Sequence, residues 1–368
     1  MSTLQTNHTA SPGLWALAWR RLRADKIAMS AMSVVIAFLV VLVLSATGLI
    51  AADWEQEIGA SYAPPHFIGA DSSMAIARVA EEPLPDNPLD PLADVLRELR
   101  KAPASQQVII TNEYGVPDPL AKEMSEIYTE LAKVGKATVA AKLDTLPFGA
   151  DKWGHDIIKK TIKGAETSII VGLVAAFLAT LLGTLFGALA GYFGNRVDDF
   201  FNWFYSIFTS IPYLLLILSV AAVLQQKGVT TIILILAFTG WTGPFRLIRA
   251  EYMKHKNREY VWAADAIGAS DFRKMFIHIF PNVSHVALVQ VSILVVGFIK
   301  SEVILSFLGF GVPVGVVSWG SMLNEAQNEL ILGKWWQLVA ATAGMAVLVT
   351  AFSLFTDALR DALDPKLK

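Results

Sequence analysis

Long runs of uncharged, mainly apolar residues alternate with shorter charged segments along most of the chain. A helix needs about 20 apolar residues to cross a hydrocarbon core of about 30 Å. Six runs reach or approach this length, and they occupy residues 27–52, 167–195, 200–226, 228–245, 286–310 and 335–356. Because lipid offers the backbone no hydrogen-bond partners, each run is predicted to be a helix. The pattern therefore predicts an all-α polytopic membrane protein with six transmembrane helices.

Basic residues are concentrated on one side of these predicted spans. Cytoplasmic loops of membrane proteins carry an excess of Lys and Arg. Fifteen basic residues fall in the N-terminal segment, the second-to-third loop, the fourth-to-fifth loop and the tail, whereas the short opposite loops contain only Lys227 and Lys334. The N-terminal segment 1–26 and the tail 359–368 are thus both predicted to be cytoplasmic, which agrees with an even number of spans.

The composition excludes several classes of protein. The chain is 54% hydrophobic and 17% charged, against about one quarter charged in a soluble domain. The net charge of −2 provides no overall basic field for nucleic acid. The absence of cysteine excludes disulfide scaffolds, thiolate metal sites and cysteine nucleophiles. The six histidines are scattered over different loops, so no metal site is predicted.

Residues 53–166 form a long segment between the first two spans, on the extracytoplasmic side. The segment holds nineteen acidic and twelve basic side chains. Asp90-Pro91 and Asp118-Pro119 each place a capping residue before a proline, which is typical of a helix start, and Gln107 to Thr111 suits a short strand. We expect a mostly helical insert. It is either a cap on its own transporter or a docking surface for a partner that delivers substrate.

Two features of the spans predict how they pack. Gly183, Gly187 and Gly191 repeat every four residues and so line one face of a helix, where small residues let another helix approach closely. Tight packing within the bundle is the simpler interpretation, and a dimerisation motif is the alternative. Pro212 lies inside the third run and predicts a kink there.

The cytoplasmic segment 246–282 is basic and amphipathic. Its alanines at 263, 264 and 266 give a small, helix-favouring surface, and Gly268 then breaks the helix. Ser270 or Asp271 is placed to cap a second short helix, and Pro281 is expected to mark the start of the fifth span. Small residues flanked by charges suit a protrusion that seats in a groove of another protein. An amphipathic helix lying on anionic lipid is the other interpretation.

This segment resembles the EAA loop of ABC importer permeases, which has the form E-A-A-x3-G-x9-I-x-L-P. The matching residues are Ala263-Ala264-Asp265-Ala266-Ile267-Gly268 and Phe280-Pro281, with Trp262 in place of the Glu and His278 in place of the Ile.

Further motifs are similar to those of the dipeptide, oligopeptide and nickel permeases. They are WRRLR at 19–23, PFGADKWGHD at 147–156, LSFLGFG at 305–311, SWG at 318–320 and LRDALDP at 359–365. The resemblance covers nearly the whole chain except residues 54–145.

The resemblance implies a type I ABC importer permease, with a five-helix core at 167–358 and a place in the bacterial inner membrane. It implies import of di- or oligopeptides by alternating access, with nickel chelates or other small solutes as the alternative cargo. The implied partners are a second permease subunit, two P-loop ATPase domains, a periplasmic binding protein and the lipid bilayer. The chain has no G-x4-G-K-[ST] loop, so it is not expected to be an enzyme, and ATP and Mg would be bound by the ATPase. The residues implied to couple to the ATPase are Ala263, Ala264, Asp265, Gly268, Ala269, Ser270 and Pro281.

Lys300 and Glu302 are the charged residues of the fifth predicted span. Two residues apart on a helix, they do not face each other. Lys300 lies near the outer surface and either extends to the interface or lines the translocation path. Glu302 is expected at the mouth of that path.

Two other classes of protein compete with this interpretation. An ion-coupled secondary transporter usually carries ionisable residues near the bilayer midplane and is often built from two repeated halves. Here the first four runs contain no charged residue, and the sequence shows no evident internal repeat. A membrane-anchored enzyme would need a nucleophile and base in the insert, where no convincing set occurs. Co-purification with a P-loop ATPase discriminates the importer from both.

Overall fold

The computed structural model describes residues 14–69 and 142–363. Within these ranges the chain is helical, and the only β pairing consists of three isolated bridges. The prediction of a mostly helical protein is confirmed. The expected helix starts at Asp90 and Asp118 and the short strand from Gln107 lie outside the described residues.

The helices are numbered here in chain order. They are α1 Leu14–Ala24, α2 Lys26–Ala46, α3 Ile157–Phe193, α4 Asn195–Thr209, α5 Tyr213–Leu224, α6 Val229–Gly240, α7 Thr242–Lys256, α8 Glu259–Ala266, α9 Asp271–Arg273, a π-helical segment Lys274–Ile279, α10 Phe280–Phe307, α11 Trp319–Ile331 and α12 Trp336–Leu363.

Within residues 14–69 and 142–363, four helical stretches are long and apolar enough to cross a membrane, and the number rises to six if each of two bent helix pairs is one span. The four are α2, α3, the continuous stretch Asp271–Phe307 and α12. The bent pairs are α4 with α5, at 86°, and α6 with α7, at 41°. The 37-residue helix α3 lies at the centre, where its apolar side chains form one core with those of α2, α5, α6, α10, α11 and α12.

The third predicted span is not a single helix. The chain breaks between Thr209 and Tyr213 and turns by 86°. Proline has no N–H to donate and clashes with the preceding turn, so Pro212 precedes α5 rather than lying within a helix. The kink expected at Pro212 is therefore a full break. The aromatic side chains of α4, among them Phe204 and Phe208, pack against Trp241.

Helix α3 begins ten residues earlier than the apolar run predicts. The Asp156 side chain caps it by accepting hydrogen bonds from the backbone N–H groups of Ile158 and Lys159. The first turns of α3 therefore carry charged residues that the hydropathy pattern assigned to a loop. Lys160, which is buried there, is stabilised by partners from other elements described below.

Pro281 does not mark the start of the fifth span. The helix runs without interruption from Asp271 to Phe307, and Pro281 is its eleventh residue and the second residue of α10. The π-helical segment Lys274–Ile279 directly precedes the proline, and Phe280 N–H bonds the carbonyl of Met275. A wider π turn relieves the clash between a proline ring and the carbonyl of the preceding turn, so the helix continues through this position.

The glycine stripe of α3 packs against α7, as the tight-packing interpretation predicts. A Cβ atom on Gly183, Gly187 or Gly191 would lie only 2.5, 2.8 or 2.6 Å from the carbonyl oxygens of Trp241, Phe245 and Arg249. Trp241, Phe245 and Arg249 also recur every four residues, so they lie on one face of α7, which Trp241 directly precedes. The two backbones thus approach along a shared face within one subunit.

Two segments outside the helices, residues 48–69 and 142–156, form a small cap over the N-terminal ends of α3 and α12. They are joined by bridges between Gly59 and Leu143 and between Pro65 and Leu146. Trp336 at the start of α12 donates its indole N–H to the carbonyl of Ala150 at 2.7 Å. This contact fixes the cap to the helical core.

Candidate functional site: coupling segment and Lys160 network

The coupling segment, residues 257–273, lies between α7 and the π-helical segment. In its helix α8, Val261 is buried in a cluster that includes Tyr252, Met275 and Ile279, and Ala264 is buried as well. The Tyr252 hydroxyl donates to the carbonyl of Met275 at 3.1 Å. One face of the segment is thereby held firmly on the helical bundle.

Gly268 ends α8 in the left-handed conformation, with φ of +76°. Its N–H donates to the carbonyl of Asp265 at 2.9 Å, and the Ala269 N–H donates to that of Ala264 at 3.0 Å. Most side chains disfavour this φ because of a clash with the backbone, which explains a glycine here. Ser270 then caps α9 by accepting from the Arg273 N–H, as predicted.

Lys274 ties the segment to the spans. Its Nζ lies 2.6 Å from the Oδ1 of Asp265 and 3.0 Å from the Oδ1 of Asp271. The Tyr192 hydroxyl, near the end of α3, donates to the same Asp271 oxygen at 2.7 Å. Sequence reasoning missed Lys274 because its partners lie three and nine residues away in a bent segment.

The outward face of the segment is bulkier than predicted. Trp262, Ile267 and Phe272 are 61%, 82% and 71% exposed. Of the alanines expected to form a small protrusion, Ala264 is instead buried beneath it. The reason is that α8 turns positions 261 and 264 inward, which leaves the large residues at 262 and 267 outside. The sequence shows the three-residue spacing of positions 261 and 264 but not which face of α8 packs against the bundle.

The remaining predicted coupling residues are distributed over this surface. The exposed or partly exposed positions are Ala263, Asp265, Ala269, Ser270 and Pro281, the last of which is the second residue of α10. His278, at the family's Ile position, is half-buried.

Glu302 does not lie at the mouth of a path. It is completely buried, and its carboxylate accepts hydrogen bonds from the hydroxyls of Ser168 and Ser306 at 2.6 and 2.7 Å. The Ser168 oxygen in turn accepts from the backbone N–H of Trp319. Because these groups join α3, α10 and α11, Glu302 fastens three elements inside the subunit. Lys300 is exposed.

A second buried polar cluster, here called the Lys160 network, joins the cap to the helices. Nζ of Lys160 donates to Asp151 and to Glu325, both at 2.6 Å, and to Gln337 at 3.3 Å. His155 Nδ1 lies 2.9 Å from Oδ2 of Asp151, the same oxygen that accepts from Lys160. One ammonium thus links the cap, α3, α11 and α12. Sequence reasoning identified 147–156 as a motif but not this lysine.

Charge and burial act in opposite directions within this network. Burial alone would raise the pKa of Asp151, but the charge of Lys160 and the hydrogen bonds from Lys160 and His155 hold that pKa below its usual value. The two carboxylate oxygens of Glu329, on α11, have no hydrogen-bond partner among the described residues. Burial raises the pKa of Glu329 to about 7, and the charge of Lys160 offsets only part of this effect. In the described parts of the chain, no group of three or more His, Asp or Glu side chains is arranged to hold a metal ion.

Two protein-family models match this chain, one near its N-terminus and one over its C-terminal half. Residues 183–368 match the model of the binding-protein-dependent transport system inner membrane component, and residues 13–65 match that of the N-terminal TM domain of oligopeptide transport permease C. The first range contains the coupling segment and α11, and the second contains α1 and α2.

Individual relatives agree with these models. The chain is 37% identical to the dipeptide transport system permease protein DppC of Bacillus subtilis over 221 residues, which is 60% of this chain and 69% of that protein. It is 37% identical to the oligopeptide transport system permease protein OppC of the same organism, over 60% of this chain and 72% of that protein. It is 36% identical to the di/tripeptide transport system permease protein DppC of Pseudomonas aeruginosa, over 60% and 72%.

These matches confirm the resemblance to ABC importer permeases that the sequence motifs indicated. The chain belongs to the family of inner membrane components of binding-protein-dependent transport systems.

Proposed function

We propose that this chain is a permease subunit of an ATP-driven importer and that its cargo is di- or oligopeptides. The observation that carries the cargo assignment is that the curated relatives named above are peptide permeases, at 36–37% identity over 60% of this chain. The chain itself is a transport subunit. A nickel chelate or another small solute is the alternative cargo.

The coupling segment supplies the energy input in this proposal. Trp262, Ile267 and Phe272 expose large apolar surfaces beside charged residues. Apolar area removed from water contributes about 25 cal/mol per Å², so a partner groove that covers these three side chains gains a stable contact. We assign that groove to a P-loop ATPase that binds and hydrolyses ATP with Mg.

A rigid link is needed to transmit ATPase closure to the spans. The Lys274 ion pairs and the Tyr192–Asp271 hydrogen bond support this role, because they join the segment to α3 and to the helix that continues as α10. Movement of α8 would then reorient the spans between inward- and outward-facing states. ATP drives that change only if it binds the two states with different affinity.

The proposed topology has six spans, with each bent pair counted as one, and both termini in the cytoplasm. The excess of Lys and Arg on the side of the coupling segment supports this orientation. It places the cap and the insert 53–166 outside, where a periplasmic binding protein would deliver substrate. A second permease subunit completes the path, and we keep Lys300, which is exposed, as a candidate lining residue.

Trp262 occupies the position of the acidic residue in the family loop. In this proposal it replaces a polar contact to the ATPase by an apolar one. Such a replacement suits a partner whose groove is correspondingly apolar.

Reconstitution of the complete complex in lipid vesicles tests both the coupling and the cargo. Binding protein loaded with di- or oligopeptides should stimulate ATP hydrolysis, and Ile267→Asp in this chain should abolish the stimulation because it places a charge in the contact. Ile267→Leu keeps an apolar side chain and should retain the stimulation.

The outcomes separate the alternatives. Stimulation by nickel chelates but not by peptides would replace the cargo and keep the coupling. Uptake driven by an ion gradient without ATP would reject the importer class altogether.

A further inference from the structure

The carboxyl group of Glu329 is enclosed on the side of the helical core that carries the cap, which the proposed topology places outside the cytoplasm. Glu329 is 1% exposed, and neither of its carboxylate oxygens has a hydrogen-bond partner within residues 14–69 and 142–363. An ionised carboxylate without partners is strongly unfavourable in such a site, whereas the protonated acid is tolerated far better. The site therefore favours a bound proton.

The neighbouring charges strengthen this preference. Lys160 is already engaged by Asp151 and Glu325, so these three side chains together carry one negative charge. Ionisation of Glu329 would add a second negative charge to the same buried region. The charged groups that act on the Glu329 carboxyl are Lys160 of α3, which opposes the effect of burial, and Asp151 of the cap and Glu325 of α11, which add to it. From the cap, the backbone N–H of Lys152 faces the carboxyl, and His155 contacts Asp151. The backbone N–H of Lys334 bonds the Glu329 carbonyl.

We propose that Glu329 is a proton-binding site of the extracytoplasmic face, and that its protonated form holds α11 packed against the cap and the Lys160 network. Loss of the proton loosens α11. This inference goes beyond the proposed transport function and does not depend on which cargo is carried.

The direction of the pH effect follows from the two states of α11. In the packed state burial raises the pKa of Glu329 from 4.5 to about 7. Where α11 opens and the carboxyl reaches water, the pKa returns to its ordinary value. The equilibrium constant for opening of α11 therefore increases as pH rises from 4.5 to about 7, by up to about tenfold per pH unit. Above that range it no longer changes with pH.

The position of α11 gives this site a consequence for the transporter. The helix lies between α10 and α12 in the chain, and its Trp319 is buried in the central core. A more acidic exterior would tighten this connection between two candidate spans, and a more alkaline exterior would loosen it.

Hydrogen–deuterium exchange of the full-length protein in lipid nanodiscs tests the proposal. Wild type and Glu329→Gln are compared at each pH between 5 and 8, so that the intrinsic pH dependence of exchange cancels in their ratio. The ratio of wild-type to variant exchange in Trp319–Ile331 should rise by more than about tenfold across this range. The same ratio in Val229–Gly240 should stay constant, and Glu55→Gln, which removes an exposed carboxyl, should behave as wild type throughout.

A second measurement covers the case in which Glu329→Gln packs poorly. Infrared difference spectra of the wild type, recorded during a pH titration, should show a protonated carboxyl band that disappears near pH 7. Absence of a carboxyl titrating between pH 6 and pH 8 would overturn the proposal, as would a wild-type to variant exchange ratio in α11 that does not change with pH. Neither readout uses transport, so failure here leaves the peptide-importer proposal unaffected.

Discussion

The Nζ atom of Lys160 lies 2.6 Å from the Oδ2 atom of Asp151, and both side chains are almost completely buried. The first residue belongs to α3 and the second to the cap. The same ammonium reaches Glu325 and Gln337, so one side chain connects four parts of the structure. This arrangement makes the cap an integral part of the helical core.

Replacement of Lys160 should therefore destabilise the whole subunit. Lys160→Met removes the ammonium group of the Lys160 network and leaves Asp151 without its main partner. Breaking a buried ion pair in this way typically lowers the free energy of unfolding by about 3–5 kcal/mol. We expect a clearly lowered thermal unfolding midpoint in detergent. Lys142→Met is the matched control, since the Lys142–Glu57 pair is exposed and should contribute at most about 1 kcal/mol. Equal midpoints for the two variants would contradict this role.

The close approach of α3 and α7 predicts a contrast between two glycines. In Gly187→Ala the added Cβ would lie 2.8 Å from the carbonyl oxygen of Phe245, so the backbones must separate. Overpacking of this kind costs about 1–3 kcal/mol. In Gly297→Ala the methyl group meets nothing within 4 Å, and the helix gains up to about 1 kcal/mol from alanine. Thermal unfolding of both variants measures the difference, and loss of stability in both would argue against a specific contact at Gly187.

Glu302 is expected to act as a structural acceptor. Glu302→Gln keeps an oxygen and an amide for the hydroxyls of Ser168 and Ser306, so both stability and uptake should be close to wild type. Glu302→Ala leaves two buried hydroxyls unpaired, at about 1–3 kcal/mol each, and should lower the folded yield. Should Glu302→Gln fold normally and yet abolish uptake, the residue would have a direct role in translocation.

The left-handed conformation of Gly268 predicts a graded effect on coupling. A Cβ there meets no neighbour within 4 Å, so the cost of substitution comes from the backbone alone. Gly268→Ala should distort the turn at about 1–2 kcal/mol and reduce ATPase stimulation, whereas Gly268→Asn should retain more of it because asparagine tolerates this φ. Stimulation assays in vesicles would show the order wild type, Asn, Ala. The reverse order of the two variants would argue that the turn does not set the position of α8.

The sequence predicts the spans well where hydropathy alone decides them. The apolar runs locate α2 and α12 to within a few residues at their N-terminal ends, and the glycines of α3 indicate the correct packing face. The start of α3 is missed because Lys160 looks like a loop residue until Asp151 and Glu325 are brought beside it. Such neutralisation depends on residues up to 165 positions away, which no local pattern contains.

In the coupling segment, too, some features could be predicted from the sequence and others could not. Gly268 and Ser270 are found from the sequence because a helix end and a cap are local devices. The continuous helix through Pro281 is missed because a π-helical turn accommodates the proline. The exposed Trp262 and Ile267 follow only once the register of α8 is known.

The contact between the coupling segment and a nucleotide-hydrolysing partner is the central element of the proposed transport mechanism. The direct measurement is ATP hydrolysis by the reconstituted complex, with and without peptide-loaded binding protein, in wild type, Ile267→Leu and Ile267→Asp. We predict strong stimulation of ATP hydrolysis in wild type and Ile267→Leu and none in Ile267→Asp. All three forms of this chain should insert into the membrane to the same extent. Full stimulation in Ile267→Asp, or peptide uptake by vesicles that contain no ATPase, would contradict the account.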